Sequence, residues 1–422
     1  MSEKDRVIFH VDVNSAFLSW SAAERLEEEP GAVDLRLIPS AVGGNRETRH
    51  GIILAKSIPA KKFDVHTGEP VAQALRKCPD LVLVPPDFRI YSRSSKALIA
   101  VLEKYAPVVE QVSIDEAYCD MTGTEKLYGD LEAMAHRIKD EIRDRLGFTV
   151  NVGISSNKLL AKMASDFEKP DKVHTLFPEE IQAKMWPLPI GDLYGVGKSS
   201  LPKMEQLHIR TIGDAARADL VRLKRVFGEK GGTYLHEAAN GLDDSPVSAE
   251  HEAEKSYGNS TTLSADLTSA NRGRVLAPTL LALSDSVASR MRKDARRGQT
   301  VSVQLKTAEF VTHSRQIRLE EPTDSTDEIY ETSVRLFDEL WNGKTPVRLI
   351  GVTVSGLDES DCRQLSFFED EKETQRREKR RRLDAMTDRI RNEYGKKAVV
   401  RGSLLQEPGA ENAGRKHKKT ET

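Results

Sequence analysis

Several features that would place the protein in a special class are missing from its 422 residues. The three cysteines, Cys78, Cys119 and Cys362, form no CxxC pair, which argues against a disulfide framework and a cysteine zinc site and favours a reducing compartment. No apolar run approaches the roughly 20 residues of a membrane helix, and the N terminus lacks the apolar core of a signal peptide. A cytoplasmic protein that does not contact a membrane is therefore expected.

An excess of charge of one sign is also missing. The chain has 64 Lys and Arg residues against 66 Asp and Glu residues, a net charge of −2, so bulk electrostatics identify no acidic partner such as nucleic acid. Any basic surface must be local. At roughly 150 residues per domain the length predicts two to four domains, and no repeat of solenoid period is present.

The N-terminal half alternates strand and helix patterns. The segment VIFHVDV predicts a buried strand, and the residues after it change to helical spacing. VVEQVSIDEAYCDM predicts two short strands that fold back at Asp115 and Glu116. A helix capped by Thr124 and stopped by Gly147 is expected next, followed by the strand FTVNVGI. With residues 15–81 treated as an insertion, this order is the ferredoxin-like arrangement of strands and helices.

The C-terminal half is organised differently. LYGVGKSSLPKMEQL predicts helices around a glycine hairpin, and a polar, turn-rich stretch predicts a linker at residues 245–255. Residues 256–358 mix alternating strands with two amphipathic helices, which predicts an independent α+β domain. The tail after residue 358 carries the short apolar peptide QLSFF and the charge-rich segment KETQRREKRRRLDAM, for which a solvated helix is the expectation.

Three acidic residues stand out because of their surroundings. Asp12 ends the first strand, and Asp115 and Glu116 lie at the bend of a hairpin expected beside that strand. An Asp-Glu pair in a turn is usually a solvated corner. Here each acid is embedded in apolar strand sequence, where an unpaired charge is costly unless a metal or partner neutralises it. Carboxylates suit Mg²⁺, and three of them can hold two ions for phosphoryl transfer.

The segments HVDVNSAF, SIDEAYCDMTG, VGISSNKLLAKMASDFEKP and LYGVG, in this order, resemble the Y-family DNA polymerases of the bacterial DNA polymerase IV type. The resemblance extends over about residues 7–357 and implies a right-hand polymerase of α+β class. Its implied domains are a ferredoxin-like palm (1–14 and 82–175), small fingers (15–81), a helical helix-hairpin-helix thumb (176–244), the linker (245–255), a separate α+β little finger (256–358) and a tail with a clamp-binding peptide (359–422).

The activity that the resemblance implies is low-fidelity, template-directed DNA synthesis in translesion synthesis and DNA repair. Asp12, Asp115 and Glu116 would bind two Mg²⁺ ions, with the backbone carbonyl of Val13 as an extra ligand. The primer 3′ hydroxyl would attack the α-phosphate of a deoxynucleoside triphosphate, and pyrophosphate would leave. Primer–template DNA, deoxynucleoside triphosphates and a sliding clamp are the implied partners, and a monomer is expected.

Two residues are expected to contact the sugar and base of the incoming nucleotide. Phe17 occupies the position where the family has an aromatic steric gate, whose ring would collide with a 2′ hydroxyl. The alternative is a core phenylalanine in the first helix, because one aromatic at helical spacing is ordinary. Leu54 would form the roof over the nascent base pair, where it is bulkier than the small residue common in the family.

The triphosphate site departs from the family pattern. Lys169, in EKP, matches the palm lysine of the family. Where relatives read NYxAR this chain reads SIPAK, so that Ile58 replaces the Tyr and Lys61 replaces the Arg. A bidentate guanidinium thereby becomes a point charge. Lys56 and Lys62 are candidates for compensation, and solvated surface lysines are the alternative.

Two segments are candidates for contact with the DNA backbone. GVG lies between amphipathic helices, as in a helix-hairpin-helix whose N–H groups approach a phosphate, although glycine at a helix end is common for other reasons. A basic cluster in a predicted little-finger helix is the second candidate, with a solvated helix face as the alternative. The candidate residues are Gly195, Gly197, Lys198, Arg290, Arg292 and Lys293.

The tail peptide resembles the clamp-binding peptide of bacterial polymerases. Adjacent exposed phenylalanines in a polar tail are a liability unless a partner's pocket takes them. The residues concerned are Gln364, Leu365, Phe367 and Phe368. Two other functions remain open at this point: a catalytically weak DNA-binding subunit of a mutagenic polymerase complex, and another two-metal nucleotidyl enzyme on the same palm.

Overall fold

The computed structural model describes residues 6–44, 51–124, 127, 129–250, 253–358, 371–395 and 397–402. The chain divides into two compact units, Met1–His251 and Glu252–Thr422. In the part of the chain that is described, no helix has the length and apolar character needed to cross a membrane.

The first unit contains two sheets and a helical region. Its strands are β1 (Ile8–Val13), β2 (Ser40–Gly43), β3 (Ile53–Lys56), β4 (Val82–Val84), β5 (Val108–Gln111), β6 (Glu116–Asp120), β7 (Val150–Ser155) and β8 (Val173–Thr175). Its helices are α1 (Ala16–Glu28), α2 (Ile58–Lys61), α3 (Val71–Lys77), α4 (Phe88–Leu102), α5 (Leu131–Leu146), α6 (Lys158–Ser165), α7 (Leu201–Gln206), α8 (Ile212–Arg217) and α9 (Leu220–Ala239). Short 3₁₀ and π turns occupy Pro178–Glu180, Ile181–Met185 and Ile190–Asp192.

The larger sheet has the order β5-β6-β1-β7-β8, and this confirms the ferredoxin-like arrangement. β1 is central and runs antiparallel to both β6 and β7. Every residue of β1 is buried, as expected for a mostly apolar strand covered on both faces. Helix α1 packs on the same core through Leu18 and Trp20, although residues 15–81 are predicted as fingers. The first helix of that range therefore shares the core of the larger sheet.

The start of α5 differs from the expected position. The helix begins at Leu131, and the side chain of Asp130 caps it by accepting a hydrogen bond from the backbone N–H of Ala133. Thr124 is not the cap, because its hydroxyl donates to the carbonyl of Met121. The predicted stop is confirmed, since Gly147 has a φ of 74° that favours glycine.

The smaller sheet, β3-β2-β4, forms a separate core with α2 and α3. Ser57 caps α2 by accepting a hydrogen bond from the backbone N–H of Ala60. This cap and the β3 strand fix the positions of Lys56, Ile58 and Lys61, because all three residues lie on or beside these two elements. The helical region α7–α9 packs against α6 through Leu160 and its neighbours.

The residues expected to form a linker are partly held in place by the first unit. Val247 is buried against Ile8 and Tyr118. The backbone N–H of Ser248 donates to Glu110, and the carbonyl of Ser245 accepts from the guanidinium of Arg6. Residues 245–250 therefore line the edge of the larger sheet instead of spanning free space.

The second unit is an antiparallel sheet covered by helices, and this confirms the α+β pattern expected for residues 256–358. The strands are β9 (Ser256–Leu267), β10 (Arg297–Thr307), β11 (Thr312–Thr323) and β12 (Val347–Asp358), in the order β11-β10-β12-β9. Helices α10 (Arg272–Lys293) and α11 (Thr326–Leu340) bury Val287 and Phe337 against Val352 of the sheet. Helix α12 (Glu371–Tyr394) follows in the tail.

Helix α12 is docked by ion pairs, which corrects the expectation of a solvated helix. Asp384 is almost fully buried and accepts hydrogen bonds from the backbone N–H of Thr326 and from Arg401 (2.8 Å). Arg292 of α10 donates to Asp388 at 2.6 Å and lies 3.4 Å from Asp384. Charge pairing, more than apolar packing, therefore holds the tail helix against the second unit.

We expect the substitution Asp384→Ala to loosen α12, because it leaves Arg401 and the Thr326 N–H without their buried acceptor. The loss of such a charged acceptor costs about 1–3 kcal/mol, which corresponds to about 5- to 160-fold faster amide exchange in α12. Hydrogen exchange of the full chain followed by mass spectrometry measures this rate. Arg382→Ala is the control, since Arg382 pairs with Glu378 on the exposed face of the same helix. Equal protection of α12 in the Asp384 variant and the wild type would contradict the docking role.

Candidate active site

The structure places the three candidate carboxylates where strands β1 and β6 of the larger sheet end and begin. Asp12, the fifth residue of β1, is the register partner of Glu116, the first residue of β6. The carbonyl of Asp115 accepts a hydrogen bond of 3.0 Å from the backbone N–H of Val13. Two like charges directly opposite each other repel, so this pairing requires a compensating cation.

Two lysines supply that compensation. Lys162 of α6 donates to Glu116 at 2.8 Å, and its Nζ lies 3.9 Å from Asp12. Lys169 donates to Asp12 and lies 2.8 Å from Asp166. Lys162 is not among the site residues predicted from the sequence. The sequence feature that could have identified Lys162 is its position in the middle of KLLAKMAS. The apolar residues on either side of it leave no exposed helix face for a lysine.

The lysines and burial act in opposite directions on the carboxylates. The pKa of Glu116 is lowered to about 2 by its contact with His10 and by the ammonium of Lys162, although burial raises it. Burial raises the pKa of Asp12, and Lys169 offsets this only in part. Burial lowers the pKa of Lys162, but Glu116 and Asp12 raise it by more, so that the ammonium stays charged.

His10 is a second site residue that was not predicted from the sequence. It is fully buried, and its Nε2 lies 3.8 Å from Glu116. Its Nδ1 is 2.8 Å from the hydroxyl of Ser165, which donates its own proton to the carbonyl of Lys162. The ring of His10 is thus held by Ser165 on one side and faces the Glu116 carboxylate on the other. The pattern FHVDV places His10 on the same side of β1 as Asp12, two residues earlier.

The donor set matches a hard divalent cation in chemistry. Asp12, Asp115, Glu116 and the Val13 carbonyl are all oxygen donors, the kind that Mg²⁺ prefers. Within the described ranges, no three His, Cys, Asp or Glu side chains are grouped at metal-ligand spacing. In this structure lysines engage Asp12 and Glu116, and the hydroxyl of Ser113 donates to Asp115 at 2.7 Å.

An open cavity of about 570 Å³ adjoins these carboxylates. It lies between the larger sheet and the β3–α2 segment, both within the first unit, and its lining includes most of the residues predicted for the metal ions and the nucleotide. Those lining residues are Asp12, Val13, Phe17, Leu54, Lys61, Asp115 and Lys169. Glu116 is not among the lining residues.

Phe17 both packs against the core and lines the cavity. Its ring stacks on Tyr91 with a centroid distance of 4.4 Å and an interplanar angle of 14°, and it packs against the core. The same residue lines the cavity. The hydroxyl of Tyr91 lies 3.2 Å from that of Ser21, so the platform under Phe17 is itself fixed. The phenylalanine is thus held rigidly with part of its surface facing the cavity.

The SIPAK segment and the residue before it present two lysines to the cavity. Lys56 and Lys61 are both in the lining, and Lys62 is not. Burial lowers the pKa of Lys56, and the positive charge of Lys61 lowers it further. Two cations held this close together favour a multivalent anion. Ile58 also lines the cavity with 47% of its surface exposed, and its side chain has no polar group to offer a phosphate.

The predicted glycine hairpin precedes α7. Gly195 has a φ of 84°, and a Cβ there would lie 2.6 Å from the hydroxyl of Tyr234, so only glycine fits. Tyr234 donates to the carbonyl of Tyr194 and locks the turn. Gly197 and Lys198 are exposed, which leaves this surface open to a phosphate.

The basic cluster of α10 divides into two groups. The guanidinium of Arg292 is held by Asp384 and Asp388, which corrects its assignment to a DNA phosphate. Arg290 and Lys293 are exposed, although Arg290 donates to the carbonyl of Gly258. The sequence pattern could not separate them because the acidic partners lie about 90 residues away. Gln364, Leu365, Phe367 and Phe368 lie outside the described residues.

The comparisons with known proteins agree along the chain. Residues 11–166 match the impB/mucB/samB family, residues 254–367 match the C-terminal domain of that family, and residues 191–243 match a family described as the thumb domain of DNA polymerase-iota. The chain is 42% identical to DNA polymerase IV of Clostridium acetobutylicum over 95% of this chain and 98% of that protein. It is 38% identical to DNA polymerase IV of Alkaliphilus oremlandii over 94% of this chain and 99% of the relative.

A solved structure adds the three-dimensional comparison. A Y-family DNA polymerase chimera superimposes with a TM-score of 0.70 at 25% identity, over 83% of this chain and 99% of the chimera. The palm-type sheet with carboxylates at the edge of an open cavity is the site of a nucleotidyl-transfer enzyme. The chain belongs to the Y-family DNA polymerases, of the DNA polymerase IV type.

Proposed function

We propose that this protein extends the 3′ end of a DNA primer on a DNA template, with low fidelity, in translesion synthesis and repair. The observation that carries the proposal is the placement of Asp12, Asp115 and Glu116 at neighbouring ends of β1 and β6, with Asp12 and Asp115 lining an open cavity. The matches to DNA polymerases IV over nearly the full chain supply the substrate class.

Each group of residues has a separate task in the proposed reaction. Asp12, Asp115, Glu116 and the Val13 carbonyl are the donors that would hold two Mg²⁺ ions. When bound, the ions neutralise charge on the attacking and leaving oxygens. Most of the remaining catalytic effect comes from holding the primer hydroxyl and the triphosphate in line.

The lysines around the cavity would hold the triphosphate. Lys61 and Lys169 line the cavity, and Lys56 adds a third ammonium beside them. Lys169 pairs with Asp12 in this structure, so it has to exchange that carboxylate for a phosphate oxygen when the nucleotide binds. Leu54 would lie over the nascent base pair. Gly195, Gly197, Lys198, Arg290 and Lys293 are the residues proposed to follow the DNA backbone.

A catalytically weak DNA-binding subunit is the second candidate, because SIPAK lacks the Tyr and Arg of the family. Lys56 and Lys61 in the cavity argue against it, since they retain cations where the triphosphate would lie. A different two-metal nucleotidyl enzyme is disfavoured by the match to a polymerase thumb.

Primer extension with Mg²⁺ and deoxynucleotides tests the activity. Asp115→Ala is expected to slow extension by at least about 10²-fold, the range for removal of one group that stabilises developing charge. DNA affinity, measured by fluorescence anisotropy, is expected to stay unchanged. Asp144→Ala is the matched control, because Asp144 is an exposed carboxylate of α5 paired with Arg143. If the Asp115 variant extends primers at the wild-type rate, the carboxylate assignment is wrong.

The steric-gate role of Phe17 predicts a change in sugar selection. Phe17→Ala is expected to reduce discrimination against ribonucleotides by about 10- to 200-fold, the range for one added group in a close-fitting pocket. The ratio of kcat/KM for deoxy- and ribonucleotides measures it. Phe88→Ala is the control, since it removes a ring 6.0 Å from Phe17 without emptying the cavity wall. Unchanged selection in the Phe17 variant would leave Phe17 as a core residue only.

The tail peptide is proposed to bind a sliding clamp through Gln364, Leu365, Phe367 and Phe368. Deletion of residues 364–368 is expected to abolish the stimulation of synthesis by the clamp and to leave basal extension unchanged, because the peptide is remote in sequence from the catalytic residues. Extension assays with and without clamp measure both rates. Equal loss of the two rates would show that the peptide is structural.

The protein is also proposed to act as a monomer in the cytoplasm. Cys78 and Cys119 are buried free thiols, which suits a reducing compartment. Light scattering of the isolated chain measures the oligomeric state, and a stable dimer would overturn the monomer proposal.

A further inference from the structure

One lysine of the site has no part in the proposed reaction. Lys162 projects from α6 to the carboxylates, 2.8 Å from Glu116, 3.9 Å from Asp12 and 3.6 Å from Asp166. The three groups that pair with its ammonium are therefore all carboxylates. It does not line the cavity, in contrast to Lys169.

The two lysines differ in their freedom to move. The side chain of Lys169 is 34% exposed, and that of Lys162 is 9% exposed. Helix α6 is held at its start by the Asn157 cap, whose amide also donates to the carbonyl of Gly241. Leu160 and the residues beside it are buried against the helical region. Lys162 thus keeps its position, whereas Lys169 can turn into the cavity.

A fixed cation beside two opposed carboxylates has two effects. It removes the repulsion between Asp12 and Glu116, which would otherwise drive the ends of β1 and β6 apart. It also remains beside the carboxylates when another cation arrives, and at about 4 Å its repulsion of that cation is substantial. The first effect favours the geometry of the site, and the second opposes metal binding.

We infer that Lys162 is a positioning residue that holds Asp12 and Glu116 together and weakens the affinity of this pair for divalent cations. The inference rests on the proposed function, because it concerns the same carboxylates. It has a distinctive consequence: loss of the ammonium strengthens metal binding and slows turnover. A substitution that only distorts the site weakens metal binding and slows turnover as well.

Calorimetry measures the affinity for divalent cations, with Mn²⁺ titrated into the full chain in the absence of DNA and nucleotide. We expect Lys162→Met, which preserves the length and apolar stem of the side chain, to lower the Kd for Mn²⁺ at least about tenfold. In primer extension the same variant is expected to show a lower kcat with an unchanged KM for DNA, because Asp12 and Glu116 are no longer held in register.

Lys158→Met is the matched control. Lys158 lies one turn earlier on the same helix and is also paired with a carboxylate, donating to Glu110 at 2.7 and 2.8 Å. Its removal is expected to change the Kd for Mn²⁺ by less than about twofold. Lys162→Arg retains the positive charge and is expected to bind Mn²⁺ with the wild-type affinity.

The Mn²⁺ and primer-extension results together decide whether the inference holds. A Kd of the folded Lys162→Met variant that is unchanged or higher overturns the inference, as does an equal gain of affinity in Lys162→Arg. If Lys162→Met does not fold, Lys162→Gln is measured in the same way and the same criteria apply. Failure of the wild-type protein both to bind Mn²⁺ and to extend primers is a failure of the proposed function. A wild-type protein that does both, with no change in the variant, refutes only the role of Lys162.

Discussion

The register of β1 against β6 is the constraint on which the site depends. It sets Asp12 opposite Glu116 at the end of two strands that are otherwise apolar. Two carboxylates in such a position are unfavourable unless positive charge is close, and the fold supplies that charge from α6 and from the segment after it. The pairing of β1 with β6 therefore depends on the lysines that neutralise the two carboxylates. The chemistry of the site depends in turn on this pairing of strands.

The cavity forms where the smaller sheet meets the larger sheet within the first unit. Strand β3 and the capped turn of α2 bring Lys56 and Lys61 into the lining of the cavity that Asp12 and Asp115 also line. Phe17 also lines this cavity, and its ring is stacked on Tyr91. Acidic and basic walls thus face a common space, which is suited to a ligand that carries both a metal and phosphates.

Positive charge in this protein has two different uses, and the environment of each residue decides between them. Arg292 is paired with Asp384 and Asp388 and fastens α12, whereas Lys56 and Lys61 face an open cavity. The largely buried guanidinium of Arg292, with two carboxylate partners and the carbonyl of Asp324, holds α12 against α10 and is not presented to a phosphate. Counting basic residues along a helix therefore overestimates the surface available to DNA.

Much of this could be predicted from the amino-acid sequence, for reasons that lie within short segments. The apolar strand ending in Asp12, the hairpin with Asp115 and Glu116, and the stop at Gly147 are encoded in local spacing and in the backbone freedom of single residues. The order of the strands follows from those segments together, and it confirms the ferredoxin-like sheet. The cap of α5 was misplaced, because Thr124 and Asp130 are both good caps and only the packing of the helix selects Asp130.

Only the tertiary structure decided what the charged residues do. The sequence determined which carboxylates lie at the sheet edge, because strand periodicity is local. It could not show that Lys162 and His10 surround Glu116, or that Arg292 is held by Asp384 and Asp388, because those partners are 46, 106, 92 and 96 residues apart in the chain. The interaction of two charges depends on their distance in space and on the water excluded between them, and neither quantity exists until the chain is folded.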